Sequence, residues 1–215
     1  MIGIIDYGMG NLFSVSKALE RLGVDYFISE DKEKLSQSTA LLLPGVGSFR
    51  DAMKRLLDEG LSEMITQYVQ SGRPLLGICL GMQLLFEESE ENGPTEGLKL
   101  LPGKVKRFPG ENYKVPHMGW NRLEFLKESP LTGGLTADFT SSQKEEYVYF
   151  VHSYFVDAKN SDVVIAKSSY YEEVAAIVGR GNVFGMQFHP EKSGKLGMEL
   201  LGNFAKLVEE SQVAK

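Results

Sequence analysis

Pro74-Leu75-Leu76-Gly77-Ile78-Cys79-Leu80-Gly81-Met82-Gln83 is the stretch whose reading decides the fold. Residues 74–79 form a short apolar run that reads as a buried strand, and residues 82–90 follow at once with a helical pattern. The same alternation extends upstream. Residues 2–5 read as a strand, then Val15, Ala18, Leu19 and Leu22 fall at helical spacing before a stop at Gly23. Residues 24–28 and 40–43 are two more strands, the second ended by Pro44-Gly45. Ser48 is an N-cap with Asp51 three positions on, and Phe49, Met53, Leu56 and Leu57 make the apolar face of the next helix. Leu61, Met64, Ile65 and Tyr68 mark a further helix closing near Gly72. Strand and helix alternating in this way predict an α/β fold, a mostly parallel central sheet flanked by helices.

Downstream the character changes. Residues 147–156, 163–166, 174–178 and 183–188 are β-rich, with Gly179-Arg180-Gly181-Asn182 as a hairpin-like turn, and residues 196–208 are helical. No repeat or linker divides the sequence, so one domain over 1–215 is expected.

Composition narrows the function. The net charge is −6 over 215 residues with no long basic run, which argues against a nucleic-acid partner. No apolar run nears the roughly 20 residues that span a bilayer. The start lacks the pattern of a secretory signal, and the single cysteine allows no internal disulfide, so a cytoplasmic protein is expected.

In open α/β sheets ligands bind at the carboxyl ends of the strands. Those ends are Asp6-Tyr7-Gly8, Pro44-Gly45-Val46-Gly47 and Cys79-Leu80-Gly81. Gly77-Ile78-Cys79-Leu80-Gly81 fits a nucleophile elbow, in which flanking glycines permit a sharp strand-to-helix turn that raises the side chain toward a substrate. The helix N-terminus behind it favours thiolate. A lone cysteine is otherwise commonly a buried structural thiol; the glycines and the strand-to-helix setting favour the nucleophile.

A thiol nucleophile needs a base, and only His117, His152 and His189 are present. His189 precedes Pro190-Glu191, so Pro190 ends the strand and Glu191 can orient the imidazole. Taken alone that pair reads more readily as a solvated surface turn. Oxyanion donors are expected from the N–H of Leu80 and from the glycine-flanked segment at Val46 and Gly47. Val46, β-branched between two glycines, is expected to rest with its N–H turned away and to rotate when a partner binds. One cysteine and three histidines are a poor set for zinc, and no metal is expected. Asp6-Tyr7-Gly8-Met9-Gly10 loosely follows a dinucleotide fingerprint, but Phe13 replaces its third glycine, and no cofactor is expected.

Gly77-Ile78-Cys79-Leu80-Gly81-Met82-Gln83 together with Phe188-His189-Pro190-Glu191 resembles the paired signatures of triad-type glutamine amidotransferases. Asp6-Tyr7-Gly8-Met9-Gly10-Asn11, Pro44-Gly45-Val46-Gly47 and Pro116-His117-Met118-Gly119-Trp120-Asn121 narrow the resemblance to the glutaminase subunits of imidazole glycerol phosphate synthases. It runs from the first strand to the last helix; a polar stretch at 136–146 is longer than the usual connection there. The resemblance implies a Cys79–His189–Glu191 triad that hydrolyses glutamine and passes ammonia to a (β/α)-barrel cyclase in a heterodimer. It implies that Gln83, Glu91, Ser153 and Tyr154 hold the glutamine, and that Asn11, Trp120, Asn121 and Lys192 face the cyclase. For Glu91 a solvated helix end, for Trp120 a core position and for Lys192 a solvated lysine are the plainer readings. A glutaminase for another ammonia-using synthase and a non-catalytic flavodoxin-like binding module are the rival functions.

Overall fold

The computed structural model describes residues 1–135, 147–159 and 161–213. The first half runs β1 (Ile2–Ile5), α1 (Leu12–Arg21), β2 (Tyr26–Ser29), α2 (Lys32–Ser36), β3 (Ala40–Gly45), α3 (Phe49–Asp58), α4 (Leu61–Gln70), β4 (Leu75–Cys79) and α5 (Leu80–Leu84). The second adds β5 (Glu88–Ser89), β6 (Thr95–Glu96), β7 (Gly103–Arg107), β8 (His117–Arg122), β9 (Glu124–Phe125), β10 (Tyr147–His152), β11 (Tyr154–Ala158), β12 (Val164–Tyr170), β13 (Glu172–Arg180), β14 (Val183–Met186) and α6 (Gly194–Val213).

Among the described residues the central sheet has eight strands in the order β2-β1-β3-β4-β14-β13-β12-β9. The five from β2 to β14 pair in parallel and the remainder antiparallel. Each central strand alternates its apolar residues between two cores. Ile2, Ile4, Leu42, Leu76 and Ile78 pack on one face with α1 and α6, while Ile5, Leu41, Leu43 and Leu75 pack on the other with α3 and α4. Burial of each such side chain is worth about 1.5–3 kcal/mol, which locks the register of strands wet on neither face. Two smaller sheets, β10-β8 and β11-β7-β5-β6, complete the second half.

Three expectations need correction. The helix after Cys79 covers five residues and does not reach 90. Leu84, Leu85 and Phe86 are all buried, and their carbonyls accept N–H groups from residues 98–101 in place of the next helical turn. Residues 147–156 are not one strand: the chain bends at Ser153 and passes from the β8 sheet to the β7 sheet. Leu57 is 60% exposed, and Ala52 takes its place on the buried face of α3. The stretch 136–146 lies outside the described residues. Among those residues no helix is long and apolar enough to cross a membrane.

Candidate active site

Strand order brings the chemistry together. β4 lies between β3 and β14, with Gly45 beside Cys79 and Met186 beside Ile78. The carboxyl ends of these neighbours therefore carry the Pro44–Gly47 segment, Cys79 and His189 side by side, as expected where ligands bind in such sheets.

Cys79 sits at the strand-to-helix junction with φ +55° and ψ −112°. A non-glycine residue in that region costs about 1–3 kcal/mol and is held there by its surroundings. The flanking glycines make the turn possible. A Cβ on Gly77 would lie 2.6 Å from the Gly81 carbonyl oxygen, and one on Gly81 would lie 1.7 Å from that of Leu43. Leu80 opens α5, where backbone N–H groups have no partner within the helix.

His189 follows β14, and Pro190–Lys192 forms a 3-10 turn that returns Glu191 toward it. His189 Nδ1 lies 2.8 Å from Glu191 Oε1, and the Glu191 side chain is buried. Burial by itself disfavours a charged ring. Interactions with Cys79, then with Glu191, more than offset it and push His189 up to about 10. Ser193 holds the turn: its hydroxyl donates to the His189 carbonyl at 2.6 Å and accepts the Tyr149 N–H at 2.9 Å. The other carboxylate oxygen, Glu191 Oε2, has no hydrogen-bond partner among the described residues.

These groups open on a cavity of about 400 Å³, lined also by Val46, Gly47, Leu80, Gln83, Glu91, Ser153 and Tyr154. Every residue named from the sequence for the nucleophile, base, oxyanion and substrate roles is on its wall, with Glu191 behind His189. Gln83 Nε2 donates to the Tyr154 carbonyl at 2.9 Å and to Gln187 Oε1 at 3.1 Å, which leaves Gln83 Oε1 as an acceptor. Glu91 Oε2 accepts the Phe49 N–H at 2.7 Å, at the positive end of α3. The Val46 N–H donates to the Met9 carbonyl at 2.9 Å. That N–H is therefore engaged by a backbone carbonyl. The buried Tyr7 hydroxyl donates to the Pro44 carbonyl at 2.9 Å and anchors the start of that segment.

Asn11, Trp120, Asn121 and Lys192 lie outside the cavity. Asn11 caps α1, Trp120 and Asn121 are on β8, and Lys192 follows Glu191 on the turn. Trp120 is 56% exposed, so it is not a core residue.

Sequence reasoning missed Gln187, Tyr7 and the pairing of His117 with His152. Gln187 carried a signal, as the one polar residue in the apolar run 183–188. His117 Nδ1 and His152 Nε2 are 3.0 Å apart. Burial lowers His117 to about 4. It lowers His152 to about 3, against the opposing pull of its bond to the Tyr154 carbonyl.

The family model described as glutamine amidotransferase class-I matches residues 3–207. Relatives named imidazole glycerol phosphate synthase subunit HisH include one from Geobacillus thermodenitrificans, 61% identical, covering 97% of this chain and 96% of the relative. Another, from Bacillus subtilis, is 54% identical with both chains covered in full. A solved glutamine amidotransferase superposes with TM-score 0.73 at 21% identity, over 97% of this chain and 98% of the other. The PurLQS structure from Thermotoga maritima gives 0.72 at 19%, over 96% and 98%. With the family model spanning nearly the whole sequence and full-length relatives above half identity, this chain belongs to the class-I glutamine amidotransferases.

Proposed function

We propose that this chain is the glutaminase subunit of an imidazole glycerol phosphate synthase. It hydrolyses glutamine to glutamate and ammonia and hands the ammonia to a cyclase subunit in histidine biosynthesis. The full-length HisH relatives support the biological role. For the chemistry, the observation that carries most is Cys79 at a left-handed elbow on the cavity wall, with the buried His189–Glu191 pair beside it.

The Cys79 thiolate attacks the side-chain carboxamide carbon of glutamine. Leu80 N–H and an amide at Val46–Gly47 hold the oxyanion. The carbon–nitrogen bond breaks as His189 gives its proton to the departing nitrogen, which leaves as ammonia. His189, now neutral, takes a proton from water, whose oxygen attacks the glutamyl thioester and releases glutamate. Glu191 orients the ring and supports its positive charge. Gln83, Glu91, Ser153 and Tyr154 seat the substrate.

Ammonia protonates in neutral water and then ceases to be a nucleophile, so direct transfer to a docked partner is the chemically sensible route. We assign Asn11, Trp120, Asn121 and Lys192 to the face that meets a (β/α)-barrel cyclase in a heterodimer; ring formation is the partner's reaction. The exposed Phe13, Met118 and Trp120 support an apolar docking surface there. We assign residues 1–215 to one domain.

The test uses the complex with the cyclase subunit. Cys79→Ser should abolish product formation from glutamine, because its hydroxyl is far harder to deprotonate than a thiol. Ammonium salt at alkaline pH should restore that product. Glutamine-driven synthesis at the wild-type rate by the Cys79→Ser complex would refute the assignment.

A further inference from the structure

His117 and His152 are the two histidines that the proposed chemistry leaves unused. Both are buried, at 2% and 6% exposure. A carbonyl oxygen only accepts, so His152 Nδ1, 2.7 Å from the Tyr154 carbonyl, carries a hydrogen. In the neutral ring His152 Nε2 then holds the lone pair, and His117 Nδ1–H donates to it at 3.0 Å. His117 Nε2 is thereby left as an acceptor, and Asn121 Nδ2 donates to it at 3.2 Å. The Asn121 amide is itself fixed. Its Nδ2 donates to the Ser169 carbonyl at 2.8 Å, and its Oδ1 accepts the Arg122 N–H at 2.8 Å.

Every donor in this series points the same way, from Asn121 through His117 and His152 to the Tyr154 carbonyl. At the far end that carbonyl also accepts from Gln83, on the wall of the Cys79 cavity. The His117 ring cannot turn freely. It is stacked between Phe150, with centroids 4.5 Å apart, and Tyr170, at 4.0 Å.

We infer that His117 and His152 are positioning residues, a buried one-directional hydrogen-bond relay that fixes the Tyr154 carbonyl and Gln83 for glutamine and couples them to the Trp120–Asn121 face. The relay's role rests on the glutaminase reading and on that face meeting the partner. An apolar ring at 117 leaves His152 Nε2 and Asn121 Nδ2 without their partner and costs stability in either case, so the readouts that mark a relay are the glutamine KM and the activation by the partner in a folded variant. A relay moves both, because its effect depends on the proton order.

Two variants separate these outcomes, assayed as the complex with the cyclase subunit and as the free chain. His117→Phe keeps the stacked ring and removes both hydrogen bonds. It should raise the KM for glutamine about 3- to 10-fold, the worth of one positioning hydrogen bond, with a smaller effect on kcat. It should also reduce activation by the partner. His117→Asn returns an N–H near the former Nδ1 but places no acceptor where Nε2 met Asn121. It should bring KM back toward wild type while partner activation stays reduced. A wild-type KM and activation ratio in His117→Phe would overturn the inference, and so would a folded His117→Asn that leaves KM as high as His117→Phe does.

A second measurement is independent of activity. Long-range ¹⁵N–¹H spectra of the free wild-type chain at neutral pH should show both rings as Nδ1–H tautomers. An Nε2–H tautomer of either ring would overturn the relay. A wild-type complex that fails to hydrolyse glutamine would instead refute the glutaminase reading, and the tautomer spectra would still decide the hydrogen-bond order.

Discussion

Cys79 is held in a backbone conformation that its own side chain disfavours, and that strain aims the sulfur at the cavity. His189 is the group we propose as the proton donor. His189→Ala should lower turnover at least about 100-fold. Glu191→Gln should cost less, because Glu191 acts through the ring; a larger loss would transfer the proton role to Glu191. The pH profile follows from His189 being pushed up to about 10. Its acid form persists through neutral pH, so kcat/KM should hold through pH 8 and fall as pH approaches 10. Glu191→Gln removes an anionic partner, makes the imidazolium less stable and should move that alkaline limb to lower pH. An unchanged limb in a folded Glu191→Gln protein would contradict the pairing. These residues were legible in the sequence because each sits in a short contiguous signal, glycines around Cys79 and proline after His189. Gln187 and the His117–His152 pair were not. Their contacts join residues 104 and 35 positions apart, so only the folded topology creates them.

At the level of elements, the site depends on how closely α5 rests on β3. A Cβ on Gly81 would meet the Leu43 carbonyl oxygen at 1.7 Å, a backbone atom that cannot swing away. Gly81→Ala should therefore cost at least the about 1–3 kcal/mol typical of overpacking and displace Cys79. Gly72→Ala is the comparison, since nothing lies within 4 Å of its Cβ and only its φ of +82° opposes the change. It should cost about 1–2 kcal/mol and leave glutaminase activity intact. Thermal unfolding and glutamate release measure both variants; equal loss of activity in the two would show that close approach is not what matters at Gly81. The strands of the parallel sheet could be read from their apolar runs because burial on both faces demands such runs. The helix after Cys79 was read too long because Leu84, Leu85 and Phe86 fit a helical pattern equally well. Its end is set by N–H groups from residues 98–101, which no local pattern announces. The break at Ser153 is hidden for a similar reason: strands in two different sheets adjoin in sequence with that single residue between them.

For the whole molecule, the Val46 N–H donates to the Met9 carbonyl, so this proposed oxyanion donor is engaged elsewhere, and we read that arrangement as the resting state of the proposed gate. Releasing it costs about one hydrogen bond, 0.5–1.5 kcal/mol, which a partner that prefers the rotated peptide can supply. The free chain should thus be a slow glutaminase, faster in the complex and faster again when the cyclase holds its ligand. Equal rates in all three states would remove the gate and leave the triad untouched. The central claim, that glutamine is opened by covalent attack from Cys79, is tested most directly by mass spectrometry of the complex quenched in acid during turnover. A glutamyl group should be found on the peptide that carries Cys79 and be absent in Cys79→Ser. A glutamyl group on any other residue, or its persistence in Cys79→Ser, would contradict the account.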